Sequence, residues 1–132
     1  MNTKQIIYSM DNSQYFYRTA IFTRENNQVA LVDINNPENT TPLDQWIGVV
    51  VSLADGKHCI QELIDYMAGR YQKVPDNLEK TILSVIERLQ EGQIIQLSDK
   101  ATELPYYLAS PIEELDREKA LELIKQDGYT QH

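Results

Sequence analysis

Residues Trp46 to Leu53 read WIGVVVSL and are apolar nearly all round a helical turn, so a helix formed by them must be covered on every side. A bilayer-spanning helix needs about 20 apolar residues, and this run is far shorter. It therefore predicts a buried central helix, placed over 42–53. Thr41 as N-cap, Pro42 at the first helical position and Asp44 at the third supply one start signal; the same TTPLD stretch also reads as a short third strand. The helix is expected to stop at Ala54-Asp55-Gly56, where Gly56 can take the conformation that ends helices.

A second helix is expected directly after this tight turn, over 60–71. Ile60, Leu63, Ile64, Met67, Ala68 and Tyr71 fall on one amphipathic face. Its start combines the only cysteine, Cys59, with Glu62 three residues on, which is the spacing of a capping box with a thiol in place of the usual hydroxyl. A thiol at a helix N-terminus beside His58 is also the setting of a reactive cysteine, but no third group stands out to orient the imidazole. The third helix is expected after Val74-Pro75-Asp76, with Asp76 as N-cap, Glu79 closing a capping box, and Leu78, Ile82, Val85, Ile86 and Leu89 as its core stripe. It ends at Gly92, and QIIQL reads as a short strand.

Upstream, residues 14–24 are aromatic and β-branched and 29–34 form a second such run. Asn26 and Asn27 between them suit a tight hairpin turn. NNPEN reads as a loop. The oxygen-bearing residues around it fit a calcium loop poorly, because Glu38 stands where the EF-hand turn requires glycine. Downstream, residues 99–132 hold a helix signal with Ser110 as N-cap, Pro111 first, Glu113 third, and a stop at Gly128. The apolar positions of this helix need a partner surface, either the chain's own domain or another protein.

The 132 residues carry a net charge of −8, distributed as −1 over 1–42, −3 over 43–98 and −4 over 99–132. Nucleic acid and anionic membranes are bound largely through Lys and Arg, so this balance argues against both as partners. The third-helix region, 76–91, itself sums to −2, which disfavours a major-groove recognition helix. One cysteine allows no internal disulfide, and the first residues lack a basic region followed by an apolar run, so a cytoplasmic chain is expected. There is no Gly-rich phosphate loop and no Cys/His cluster, and the second histidine, His132, is the last residue. Neither catalysis nor a bound cofactor or metal is expected.

Strands, three consecutive helices and a following strand predict an α+β fold, a winged helix-turn-helix with a small N-terminal antiparallel sheet, a three-helix core and an extra C-terminal helix. The segment PLDQWIGVVVSLADGKHCIQELIDYMAGRY with ILSVIERLQEGQII resembles the PqqD-like group, the recognition elements of pathways that make ribosomal, post-translationally modified peptides. The resemblance rests on Leu43 and Asp44, on the turn pattern Leu53, Asp55, Gly56, Ile60, Glu62 and Leu63, and on Leu89, Gly92 and Ile94. It implies a recognition domain over 1–98 with an extension over 99–132. It also implies that the leader of a precursor peptide adds as a strand to Glu38, Asn39, Thr40 and Thr41, against a wall of Lys80, Leu83, Ser84 and Glu87 on the third helix. Leu83 can equally be the flank of a broad core face. The implied partner is a modifying enzyme, often a radical S-adenosylmethionine enzyme. Tyr106, Tyr107, Leu115 and Leu121 of the extension are the candidates for touching it. The other reading is a regulatory or immunity-type winged-helix protein that acts through protein contacts.

Overall fold

The computed structural model describes residues 11–129. His132 lies outside them. Among the described residues, two three-stranded antiparallel sheets and five α-helices make an α+β fold. The chain runs β1 (Tyr15–Arg18), β2 (Phe22–Glu25), β3 (Gln28–Asp33), β4 (Asn36–Pro42), α1 (Gln45–Leu53), β5 (Asp55–Cys59), α2 (Ile60–Ala68), α3 (Leu78–Glu91) and β6 (Ile95–Ser98). The extension adds α4 (Tyr106–Ala109), a 3-10 turn at Ile112–Glu114 and α5 (Arg117–Asp127).

The helical periodicity translates directly into packing. Val50 and Val51 of α1, Ile60, Leu63 and Met67 of α2, and Ile82, Ile86 and Leu89 of α3 meet Phe16, Phe22 and Ile95 in the main core. Asn26 and Asn27 both have positive φ, 52° and 66°, as a two-residue hairpin turn requires. Gly128 ends α5 in the left-handed conformation, as expected.

Several boundaries differ from the sequence expectations, each for a physical reason. The strand expected over 14–24 is two. It breaks at 19–21 because β1 lies between β5 and β6 in one sheet, whereas β2 joins β3 and β4 in the other. All of the NNPEN loop but Asn35 lies within β4, which pairs with β3 although every one of its residues is exposed; a strand with both faces in water shows no apolar alternation. Thr41 and Pro42 consequently end that strand, and the cap of α1 is Asp44, whose carboxylate accepts the Ile47 amide at 2.8 Å. Residues 55–59 are a strand paired with β1 and not a bare turn. Helix α2 stops at Ala68, short of Tyr71. Asn77, not Asp76, precedes α3, with no side-chain cap bond. Helix α5 is capped by Asp116, whose carboxylate accepts the Lys119 amide at 3.1 Å, so the Ser110 start is replaced by two shorter turns.

Gly56 does not end α1; it lies within β5 at φ +80°, with its carbonyl accepting the Thr102 amide at 2.8 Å. A Cβ at this position would sit 2.3 Å from the Thr102 carbonyl oxygen. The glycine therefore allows the extension to cross the sheet at backbone contact distance.

Arg18 makes the second such junction. Its side chain is 2% exposed. Nε donates to the Leu108 carbonyl at 3.0 Å, Nη1 to those of Val51 and Ser52 at 3.0 Å each, and Nη2 to that of Ala109 at 3.1 Å. The guanidinium also lies 4.4 Å from the centroid of the Phe22 ring. Burial pulls it down to about 10, so it stays charged at neutral pH. Arg18→Ala should lower stability in chemical denaturation by about 3 kcal/mol, since it strands buried carbonyls and empties a large volume, with Arg18→Lys less damaging. Gly56→Ala should cost about 2 kcal/mol or more through φ strain and the Thr102 clash. A loss below about 0.5 kcal/mol in either alanine variant would contradict these roles.

Candidate peptide-binding site

The sheet of β2, β3 and β4 has two edges, and the chain treats them differently. Along β2 the Arg24 amide points away from β3 and is taken up by Glu113, whose carboxylate oxygens accept it at 3.1 and 3.2 Å. Thr23 Oγ1 donates to the same carboxylate at 2.6 Å. Desolvation pushes the Glu113 carboxyl up, but these bonds and the Arg24 charge outweigh it and hold the carboxyl below its ordinary value. The extension thus closes the β2 edge.

The β4 edge has no strand beside it among the described residues. Its hydrogen-bonding sense follows from its neighbours. The Leu43 amide donates to the Val29 carbonyl, which makes Val29 and Leu43 a bonded pair; alternation then makes Leu31 and Thr41 the next. Val32, opposite Thr40, donates its amide to Ile21 on the far side. The Thr40 amide and carbonyl therefore face outward. Pro42, the next outward position, has no amide. Residues 37–39 bulge, because Val32 pairs with Thr40 while the adjacent Asp33 pairs with Asn36. Of the four edge residues expected to receive a peptide, Thr40 offers an outward amide in regular register, Thr41 turns inward, and Glu38 and Asn39 belong to the bulge. Prolines and bulges are the usual means of keeping an open edge from aggregating, so only a short segment can be added here.

The expected wall on α3 divides in the same way. Lys80, Ser84 and Glu87 are exposed. Leu83 is half-buried and packs against the main core with Val85. Two concavities occur elsewhere, between α1, α2 and the β2–β3 hairpin, and neither is lined by 38–41 or by Lys80, Leu83, Ser84 or Glu87.

The start of α2 contains a pair that spacing alone did not single out. Asp55 Oδ1 lies 2.9 Å from His58 Nδ1, so the carboxylate orients the imidazole. Cys59 faces Glu62 in the expected capping box. The Glu62 carboxylate accepts the Cys59 amide at 2.9 Å, and only this half is a bond of ordinary geometry. That amide first, and the thiol after it, hold the Glu62 carboxyl below its usual range. No group of three or more metal-ligating side chains occurs among the described residues.

The residues expected to touch a partner enzyme are largely used within the chain. Tyr107 is 3% exposed and packs with Leu108 and Ala120 against Ile21, Val32 and Ile34, a second core drawn from both sides of the boundary expected at residue 98. Its hydroxyl donates to Asp127 at 2.9 Å, and its ring lies 5.1 Å from that of Tyr129. Burial, then Asp127, pushes the Tyr107 hydroxyl up to about 12. Tyr106 packs at the margin of this core and its hydroxyl accepts the Asp116 amide at 2.7 Å. Leu121 packs on the same core, and Leu115 is half-buried. The apolar side of the extension is satisfied by its own domain, and LPYYL is not an extended docking arm, because Tyr106–Ala109 is helical.

No family model matches the chain, and no curated protein or solved structure shows significant similarity to it.

Because the folded-state pKa of Tyr107 lies above the unfolded value of 10.0, its contribution is complete below pH 10 and is lost as pH rises toward 12. The thermal midpoint should fall across that window, and less steeply in Tyr107→Phe; parallel pH profiles for the two proteins would contradict the buried, Asp127-bound hydroxyl. Cys59→Ser should raise stability by about 0.5 kcal/mol by supplying a true cap acceptor, as read by chemical denaturation.

Proposed function

We propose that this protein is a non-catalytic leader-binding subunit of the PqqD-like kind. In this reading a winged helix-turn-helix frame receives the leader of a ribosomally made precursor peptide and presents it to a modifying enzyme, in keeping with the resemblance a radical S-adenosylmethionine enzyme. The observation that carries the reading is the asymmetry of the small sheet. Glu113 closes the β2 edge, while among the described residues no strand pairs with the outer side of β4, towards which the Thr40 amide and carbonyl point. An extended peptide that pairs there gains main-chain hydrogen bonds without displacing any part of the fold. The bulge and Pro42 limit pairing to a short stretch, so selectivity must come from side chains beyond it. The exposed residues Lys80, Ser84 and Glu87 of α3 are the proposed wall, with Leu83 contributing only its uncovered flank. The modifying enzyme supplies all chemistry.

Thr40→Pro tests this with little cost to folding, since the amide it removes makes no bond within the sheet. Fluorescence anisotropy with leader regions of small peptides encoded beside the gene should show binding to one leader and not to its scrambled form. The variant should weaken that binding roughly tenfold, the equivalent of about 1.4 kcal/mol. Equal binding by wild type and variant would remove strand addition at β4.

A further inference from the structure

Among the described residues, the strongly exposed large apolar side chains are all found between residues 66 and 74: Tyr66 at 50%, Tyr71 at 36% and Val74 at 45%. Exposed apolar side chains gathered in one short segment mark a contact surface where they line a cavity, as Tyr66 and Tyr71 do. Tyr66 lines a groove of about 640 Å³ between the β2–β3 hairpin and the outer side of α1. The groove continues past Gln45, Val49 and Arg70 into a slot of about 170 Å³ beside Trp46, Met67 and Tyr71. The waist between the two is therefore marked by a cation.

Arg70 at that waist lies over the Tyr66 ring, 5.8 Å from its centroid, and forms no ion pair with an acid among the described residues. The other arginine of the groove, Arg24, is already held by Ser52 Oγ at 2.6 Å, with Glu114 3.9 Å away. Among the described residues, Arg70 is the cation of this groove without an ion pair, within a chain whose net charge is −8. A basic segment would meet it unfavourably, and two arginines in a groove that also holds Asp44 do not form the basic track a phosphate backbone needs. Aromatic and arginine side chains around an apolar slot are the composition that dominates protein contact energies.

We propose that this groove docks an extended segment of a partner protein in which an acidic residue adjoins a large apolar one. The carboxylate pairs with Arg70 and the apolar side chain enters the slot beside Trp46 and Met67. The site stands on these residues alone and is separate from the β4 edge, so either can fail without the other. It supplies the enzyme-facing surface that the extension, occupied in its own core, does not offer.

The test is selection from a displayed library of random peptides of about a dozen residues against the full chain, followed by anisotropy on the enriched peptides. Enriched sequences should carry Asp or Glu beside Leu, Phe, Tyr or Trp. Their Kd should rise tenfold or more in Arg70→Glu, a change on an exposed side chain, and should be unaltered in Thr40→Pro. No enrichment, enrichment without acidic residues, or equal binding to Arg70→Glu would overturn the proposal. So would self-association of the wild-type chain that Arg70→Glu abolishes, which would assign the groove to a second copy.

Discussion

A full positive charge is buried in this protein with no carboxylate paired to it among the described residues. Removing the Arg18 guanidinium from water costs several kcal/mol unless its donors are met, and they are met by four carbonyls from two places, the last turn of α1 and the end of α4. Helix C-termini are where carbonyls lack intrahelical partners and where the dipole favours a cation, so each side satisfies the other. Arg18 is also the last residue of β1, just before the chain leaves one sheet for the other. One side chain thereby fixes the central helix, the change of sheet and the position of the extension.

The arrangement of the proposed binding edge depends on that fixing. With Leu108 and Ala109 held, the following residues bring Glu113 to the Arg24 amide, which closes the β2 edge, and Arg117 Nη2 donates to the Ile34 carbonyl at 3.1 Å, beside the β3–β4 turn. The Tyr129 hydroxyl donates to the Thr19 carbonyl at 2.5 Å and secures the far end of the extension to the same crossing. The extension thus acts as a strap that leaves one edge open. Shortening the chain after Ser98 would uncover Ile21, Val32 and Ile34, so that truncation would open the second core rather than remove an independent arm.

The helices were legible in the sequence because their periodicity reports burial directly: Ile60, Leu63, Ile64 and Met67 in α2, and Leu78, Ile82, Ile86 and Leu89 in α3. The Asn26–Asn27 turn and the Gly128 cap were legible because backbone conformation demands those residue types. What stayed hidden was decided by distant partners. β4 is polar on both faces, so only its pairing with β3 makes it a strand. β5 exists because β1 lies beside it, and Gly56 serves a crossing with Thr102 that is remote in sequence. Arg18 looked like an ordinary strand residue, since nothing local announces that four carbonyls converge on it. Within the candidate site, Thr40 was among the residues named, but its outward amide follows from the register set by Val29 and Leu43.

Residue-resolved amide hydrogen exchange on the isotopically labelled full chain, with and without a bound leader, addresses the central claim most directly. Strand addition at β4 predicts that the Thr40 amide, unprotected in the free protein, slows by at least tenfold on binding, while Thr41, already bonded within the sheet, changes little. A leader that binds and leaves Thr40 exchanging at its free rate would contradict the account.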